Sequence, residues 1–201
     1  MKITVVGATG MAGSRVVAEA TRRGHGVTAV SRGGTGVRAD AHDRDRMAEL
    51  FTGTDAVVAA TRPLPGQEHT VTATITALLD AAAATRTRIL VIGGAGPLRT
   101  PGRPELPVAE NPDYVPSQWR AIAAASVAQF EACEEHPADW SYLSPPAVLE
   151  PGHRTGTYRR GTTTLLTAPD GTSRISAEDL AIAVVDELEN PSTARHFTVA
   201  Y

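Results

Sequence analysis

The sequence is poor in cysteine and lysine, and each shortage removes a class of chemistry. Cys133 is the only cysteine, so no intrachain disulfide can form and no cysteine-based metal site can be assembled, a pattern that suits a reducing cytoplasm. Lys2 is the only lysine, which excludes any mechanism needing an ammonium group in the middle of the chain. No run approaches the roughly 18 to 20 apolar residues that span a bilayer. The first residues lead straight into Ile3-Thr4-Val5-Val6, without the charged flank and small-residue cleavage site of a signal peptide. A formal net charge of −3 supplies no basic field to follow a phosphate backbone. Nucleic acid, membrane and metal are therefore set aside, and a small-molecule partner is expected in a cytoplasmic protein.

What is present is the composition of an ordinary globular chain, 42% hydrophobic and 20% charged over 201 residues, enough for one core and one domain, 1–201. Short β-branched runs alternate with alanine-rich helical stretches, the pattern of βαβ units feeding a mostly parallel sheet. Strands are expected at 3–7, 27–31, 36–39, 55–60, 88–93 and 140–144, with a closing strand at 195–200. Helices are expected at 11–23, 43–52, 67–85, 117–135 and 177–189. Pro97, Pro101, Pro104, Pro107 and Pro112 interrupt 94–116, which predicts a long irregular loop that could serve as a lid. After it, Trp119, Ala123, Val127, Phe130 and Cys133 recur at three- and four-residue steps and predict one apolar stripe turned to the core, with Cys133 an inert buried thiol. An apolar helix face suits a homodimer as well as a core, so the oligomeric state stays open. Ser176-Ala177-Glu178-Asp179 reads as a helix N-cap with acids in the first turn, ahead of a buried stripe of Leu180, Val184 and Leu188.

The strongest motif is Gly7-Ala8-Thr9-Gly10-Met11-Ala12-Gly13. Its three glycines end the first strand and open the first helix, the context in which such spacing carries meaning. Glycine lets the backbone turn and approach a pyrophosphate, the free N–H groups and helix dipole at Met11 and Ala12 favour its charge, and Gly13 allows close helix-to-strand packing. The fold class is thus α/β, a doubly wound, mostly parallel sheet of the dinucleotide-binding Rossmann type. Sites that prefer NAD(H) place an acid at the end of the second strand, where it accepts from the ribose hydroxyls. Ser31-Arg32 stands there instead, and Arg32 could pair with a 2′-phosphate and stack on adenine, so NADP(H) is expected ahead of NAD(H). Strand ends add Asp40 and Ala41 beside the adenine, Ala60, Thr61 and Arg62 beside the far ribose and nicotinamide, and Gly93 and Gly94 after the fifth strand.

With that loop placed, the chain resembles, nearly end to end, the atypical short-chain dehydrogenase/reductase families: the NAD(P)H-binding, NmrA-like proteins and the biliverdin-IXβ (flavin) reductases. The likeness is carried by the glycine loop, Asp55-Ala56-Val57-Val58, Val91-Ile92-Gly93-Gly94-Ala95-Gly96, Asp139-Trp140-Ser141-Tyr142-Leu143-Ser144-Pro145-Pro146, Arg154-Thr155-Gly156-Thr157-Tyr158 and Arg174-Ile175-Ser176-Ala177-Glu178-Asp179-Leu180-Ala181. It implies a nicotinamide dinucleotide but no particular substrate, since such folds include reductases of flavins, quinones and tetrapyrroles as well as regulators that bind without turnover.

Ordinary short-chain dehydrogenases carry a Tyr with a Lys four residues later; here Tyr114 is followed at that spacing by Gln118, which disfavours their carbonyl chemistry. The serine and histidine of the biliverdin reductases are replaced by Gly94-Ala95 and Ala147. A fifth-strand end of Gly93, Gly94, Ala95 and Gly96 is expected to leave room for a flat ring, with Gly94, Ala95, Arg154 and Tyr158 as substrate-binding candidates. Tyr114 and His153 are the candidate proton donors. The leading expectation is an NADPH-dependent reductase of a flat conjugated acceptor, a flavin, quinone or related aromatic. Its rivals are a dinucleotide-sensing regulator and an enzyme of specialised metabolism with a non-redox step.

Overall fold

The apolar runs sort into strands and helices much as their periodicities require. The computed structural model describes residues 1–201. Its first half alternates β1 (Lys2–Val6), α1 (Met11–Arg22), β2 (Gly26–Ser31), β3 (Val37–Arg38), α2 (Arg44–Phe51), β4 (Ala56–Ala59), α3 (Val71–Thr85) and β5 (Arg88–Ile92). A small hairpin, β6 (Arg99–Thr100) and β7 (Arg103–Pro107), precedes α4 (Arg120–Glu134) and β8 (Trp140–Ser144). The chain then runs through β9 (Val148–Glu150), β10 (Arg159–Gly161), β11 (Arg174–Ser176), α5 (Ala177–Glu189) and β12 (His196–Ala200).

Eight strands form the central sheet in the order β3-β2-β1-β4-β5-β8-β12-β10. Every pairing is parallel except that of β10 with β12 at one edge. The winding reverses between β1 and β4, the point where such sheets open a crevice at the carboxyl ends of their strands. Parallel strands are covered on both faces, so they read as apolar runs. Ile3, Val5, Leu90, Leu143 and Phe197 pack against Val16 of α1 and Leu180, Val184 and Leu188 of α5. On the other face Val57, Ile89, Val91, Trp140 and Tyr142 meet Met47 and Phe51 of α2, Ile75, Leu78 and Leu79 of α3, and Cys133 of α4. This is one doubly wound α/β domain. No helix is long and apolar enough to cross a membrane.

Two expectations need correction. The 94–116 segment is not an irregular loop: its hairpin and a single 3₁₀ turn at Val108–Glu110 close over a small core of Leu98, Val108, Val115 and Leu165. Pro104 and Pro107 sit within β7 of this two-stranded unit, an edge that tolerates proline. Asn111, fully buried, joins its side-chain amide to the Thr100 hydroxyl at 3.4 Å and accepts from the Asp113 N–H at 3.0 Å. The second correction concerns α4. Its fully buried face is Ala125, Ser126, Gln129 and Cys133. Trp119, expected on the core stripe, is 51% exposed just ahead of the helix.

Candidate functional site

Each glycine of the first loop is there for a steric reason that the surrounding backbone makes explicit. Gly7 has φ +88°, and a Cβ on it would lie 2.3 Å from the Ala60 carbonyl oxygen. Side chains are thus excluded twice, by the left-handed backbone and by β4. A Cβ on Gly13 would lie 2.2 Å from the Gly7 carbonyl oxygen, so its absence lets α1 pack directly on the end of β1. The N–H groups of Gly7 and Ala8 are both spent on the Val30 carbonyl, at 2.9 and 3.0 Å, and that of Gly10 on the Gly7 carbonyl at 3.0 Å. The N–H groups of Thr9, Met11, Ala12 and Gly13 have no protein acceptor, and no side chain caps the helix. Four unspent donors at the positive end of a twelve-residue helix fit a phosphate group.

A cavity of about 570 Å³ lies at the switch point of the sheet; of the four donor residues Thr9 lines it, and Met11, Ala12 and Gly13 stand behind the loop, outside the lining. Gly7, Thr9, Gly10, Ser31, Arg32, Asp40, Ala41, Ala60, Thr61 and Arg62 line it, together with His42, Leu64, Gln67 and Thr74. Ser31 is buried, and its hydroxyl donates to the Gly33 carbonyl, shaping the turn that turns Arg32 outward. Arg32 is exposed and lies within salt-bridge distance of no carboxylate. Asp40 is the one acid on this wall. It accepts from the His42 N–H and pairs with His42 Nδ1, both at 3.0 Å, while His42 Nε2 lies 2.8 Å from the Thr74 hydroxyl. The backbone and ring hydrogen bonds from His42 hold the Asp40 carboxyl below its usual range, with a smaller contribution from the charge of Arg32.

The end of β5 and the loop after β8 depart from expectation. A Cβ on Gly93 would meet the Tyr142 hydroxyl oxygen at 1.9 Å, one on Gly94 the Ser126 Cβ at 2.7 Å, and one on Gly96 the Ala123 carbonyl at 2.5 Å. The space these glycines release is therefore taken by Tyr142 and α4 rather than kept for a substrate ring. Ala95 and Tyr114 pack against the small core of the 94–116 unit. Arg154 donates from Nε and Nη2 to Glu19, at 3.0 and 3.1 Å, and Tyr158 donates to Asp186. Burial, then the bond to Asp186, pushes the Tyr158 phenol well above its usual range. Both side chains tie the 154–158 segment to α1 and α5. His153 is exposed; its carbonyl accepts from the Ser176 hydroxyl, and it does not line the cavity. Cys133 is fully buried, its thiol pushed up to about 12 by burial, and is inert as expected.

A family model described as NAD(P)H-binding matches residues 7–191. The chain belongs to this NAD(P)H-binding family. Protein YwnB of Bacillus subtilis, itself uncharacterized, is 36% identical over 203 residues, which is 95% of this chain and 93% of that one. An exported-protein candidate from Burkholderia pseudomallei shares the fold at TM-score 0.89 and 39% identity, covering 100% of both chains. A candidate NADH-flavin reductase from Streptococcus pneumoniae does so at TM-score 0.89 and 29% identity, covering 100% of this chain and 99% of its own. A candidate epimerase from Bacteroides thetaiotaomicron gives 0.88 and 33%, covering 100% and 96%. The motif-based resemblance to atypical short-chain dehydrogenase/reductases holds.

Membership in the NAD(P)H-binding family explains the glycine loop, yet several lining residues carried no signal in the chain. His42 and Thr74 meet across 32 positions, and neither belongs to a spaced motif. Trp119 was legible as aromatic but was given the wrong side of its helix. The structure instead sets the Arg62 guanidinium over the Trp119 ring, 5.9 Å from its centroid.

Proposed function

We propose that this chain binds NADP(H) across the 570 Å³ cavity and acts as a reductase of a flat conjugated acceptor such as a flavin or quinone, working in the cytoplasm. The observation that carries the reading is the set of four unspent N–H groups at Thr9, Met11, Ala12 and Gly13, on a loop where Gly7 and Gly13 leave no room for a Cβ. They would hold the pyrophosphate. Asp40 and Ala41 would border the adenine, and Ala60 and Thr61 the far ribose. Preference for the 2′-phosphate rests on Arg32, an exposed guanidinium with no carboxylate partner at the end of β2. Asp40, the nearest acid on that wall, is already engaged by His42.

A bound reduced nicotinamide supplies a hydride, two electrons with one proton, while water can deliver the acceptor's second proton. The protein's part is then to hold two flat rings in register, and orientation accounts for much of the rate. Tyr114, Arg154 and Tyr158 are left out because their groups serve packing and ion pairs.

The test has two arms. NADPH and NADH affinities are measured by titration for wild type and Arg32→Asp, and NADPH absorbance is followed with flavin mononucleotide, quinones and tetrapyrroles. Arg32→Asp is expected to weaken NADPH about 100-fold and NADH less than about fivefold, the loss of a paired phosphate contact plus repulsion. Equal losses for the two cofactors would remove the NADP(H) assignment. Tight binding with no consumption by any acceptor would replace the reductase by a dinucleotide-sensing protein.

A further inference from the structure

We propose that Arg62 and Trp119 form a clamp for the acceptor, and that the acceptor is a planar conjugated ring carrying an anionic group. The inference rests on the reductase reading and names its substrate class. A dinucleotide whose adenosine half lies at the β2 end crosses the glycine loop and extends toward the ends of β4 and β5. What stands beyond Thr61 therefore faces the acceptor. There the cavity wall continues with Arg62, Pro63, Leu64 and Gln67.

Three properties of this corner point to a ligand. Leu64 is 48% exposed and Trp119 is 51% exposed, the two largest apolar groups left open on this side of the molecule. An indole buries some 150–250 Å² when covered, so half of one left in water is costly unless a partner uses it. Arg62 makes no hydrogen bond and no ion pair within the protein, and its guanidinium lies 5.9 Å from the centroid of the Trp119 ring. The nearest carboxylate in sequence, Glu68, is occupied by the Gly66 N–H at 3.0 Å. An arginine resting on an open aromatic face presents a stacking platform with a cationic edge, which suits a flat ring with an acidic substituent.

The platform is fixed rather than floppy. The Trp119 N–H donates to the Pro116 carbonyl at 2.9 Å, and the segment leading to it is held by the Leu98, Val108, Val115 and Leu165 core and by buried Asn111. The 94–116 unit thus carries Trp119, itself outside the cavity lining, to 5.9 Å from the guanidinium of Arg62, which lines it.

The experiment uses the full chain and acceptor pairs that share a ring and differ in charge: flavin mononucleotide against riboflavin, and 1,2-naphthoquinone-4-sulfonate against 1,2-naphthoquinone. Wild type is expected to favour the acidic member about tenfold or more in kcat/KM, as a charge-assisted pair allows. Arg62→Gln should collapse that ratio to within about twofold. Trp119→Ala should raise KM for both members of each pair about tenfold, with Trp119→Phe restoring most of it. A ratio unchanged in Arg62→Gln overturns the clamp, as does an Arg62→Gln that loses NADPH affinity while keeping the ratio. A readout independent of turnover is tryptophan fluorescence, since the second tryptophan, Trp140, is buried. Flavin mononucleotide should quench wild type in an Arg62-dependent way and leave Trp119→Phe unquenched. Quenching without NADPH oxidation keeps the clamp and removes the reductase; oxidation with an unchanged ratio does the reverse.

Discussion

Three glycines of the loop look alike in the sequence and do different work in the fold. Gly7 is required by its backbone and Gly13 by contact between helix and strand, whereas a side chain at Gly10 would meet only a tight 3.3 Å approach to the Gly7 carbonyl. Gly13 gives the cleanest test because its φ is open to any residue and only packing opposes a side chain. Gly13→Ala should push α1 off β1 and destabilise the protein by about 1–3 kcal/mol, the usual cost of overpacking. It should also weaken NADPH binding, because the donors of Met11 and Ala12 move with the helix. Gly33→Ala, with nothing within 4 Å of the added carbon, should change stability by less than about 0.5 kcal/mol. Thermal unfolding midpoints and NADPH titrations of the two variants check both statements; equal stability would show that α1 can shift without cost. At this scale the loop was legible, since the residue type itself states the constraint. Gly93 was not: its reason is the hydroxyl of Tyr142, brought beside it by the pairing of β5 with β8.

Among the elements, the alternation of strands and helices and the buried stripe of α5 followed from periodicity, whereas the inner face of α4 followed only in part. Its inner face includes Ser126 and Gln129, buried because the Tyr142 hydroxyl lies 3.0 Å from both the Ser126 carbonyl and Gln129 Oε1. A pattern search that counts only apolar residues misses Ser126 and Gln129; of its stripe Cys133, Phe130 and Ala123 do pack inward, and Trp119, ahead of the helix, does not. The 99–107 hairpin was hidden for a related reason, since proline argues against strand except at an unshared edge. The start of α5, in contrast, was readable as Ser176-Ala177-Glu178-Asp179, and the Ser176 hydroxyl does cap the helix by accepting from the Asp179 N–H at 3.0 Å. Asp179 goes further than a first-turn acid. Fully buried, it accepts from the N–H groups of Thr155 and Gly156, both at 2.9 Å, and from the Tyr201 hydroxyl at 2.7 Å. Burial pushes its pKa up, and these bonds outweigh that and hold it below the usual range. It is the knot that joins α5, the 154–158 segment and the C-terminus. Asp179→Asn, isosteric but with half its acceptors replaced by donors, should cost about 2–3 kcal/mol in urea unfolding, the range for hydrogen bonds to a charged group. A loss below about 0.5 kcal/mol, the scale of a neutral surface change, would show that the segment is held by Arg154 and Tyr158 alone.

For the molecule as a whole, the buried titratable groups set the pH range of stability. His196 is pinned with its Nε2 2.9 Å from the Ser144 hydroxyl, its ring 4.3 Å from that of Phe130 and 5.6 Å from that of Tyr142, and no carboxylate within 4 Å. Burial lowers its pKa from 6.5 to about 4. Between those values the unfolded chain binds a proton that the folded chain refuses, so stability is full above about pH 6.5 and declines as the pH falls toward 4. Cys133 acts at the other end with the opposite sign: raised from 9.0 to about 12, it stays a thiol in the fold where the unfolded chain would ionise, so stability declines as the pH rises through that window. The acids held below their usual range, Asp179 and also Glu19, which is hydrogen-bonded by Arg22, Arg154 and Arg23 and only 4% exposed, stay ionised in the fold through the range where the unfolded chain takes up protons. Their loss adds to the acid limb only below about pH 4.5. The stretch from pH 6.5 to 4.5 therefore isolates His196 from them. In urea unfolding across pH, wild type should show a slope there of at most about 1.4 kcal/mol per pH unit, reduced by the ring's partial exposure. His196→Gln, which keeps an amide beside Ser144, should flatten that stretch while leaving the decline below pH 4.5 and the alkaline limb in place. An acid limb of unchanged slope in His196→Gln would mean that another group takes up the proton, and that the pocket of Phe130 and Tyr142 rearranges to hydrate the imidazolium rather than excluding it.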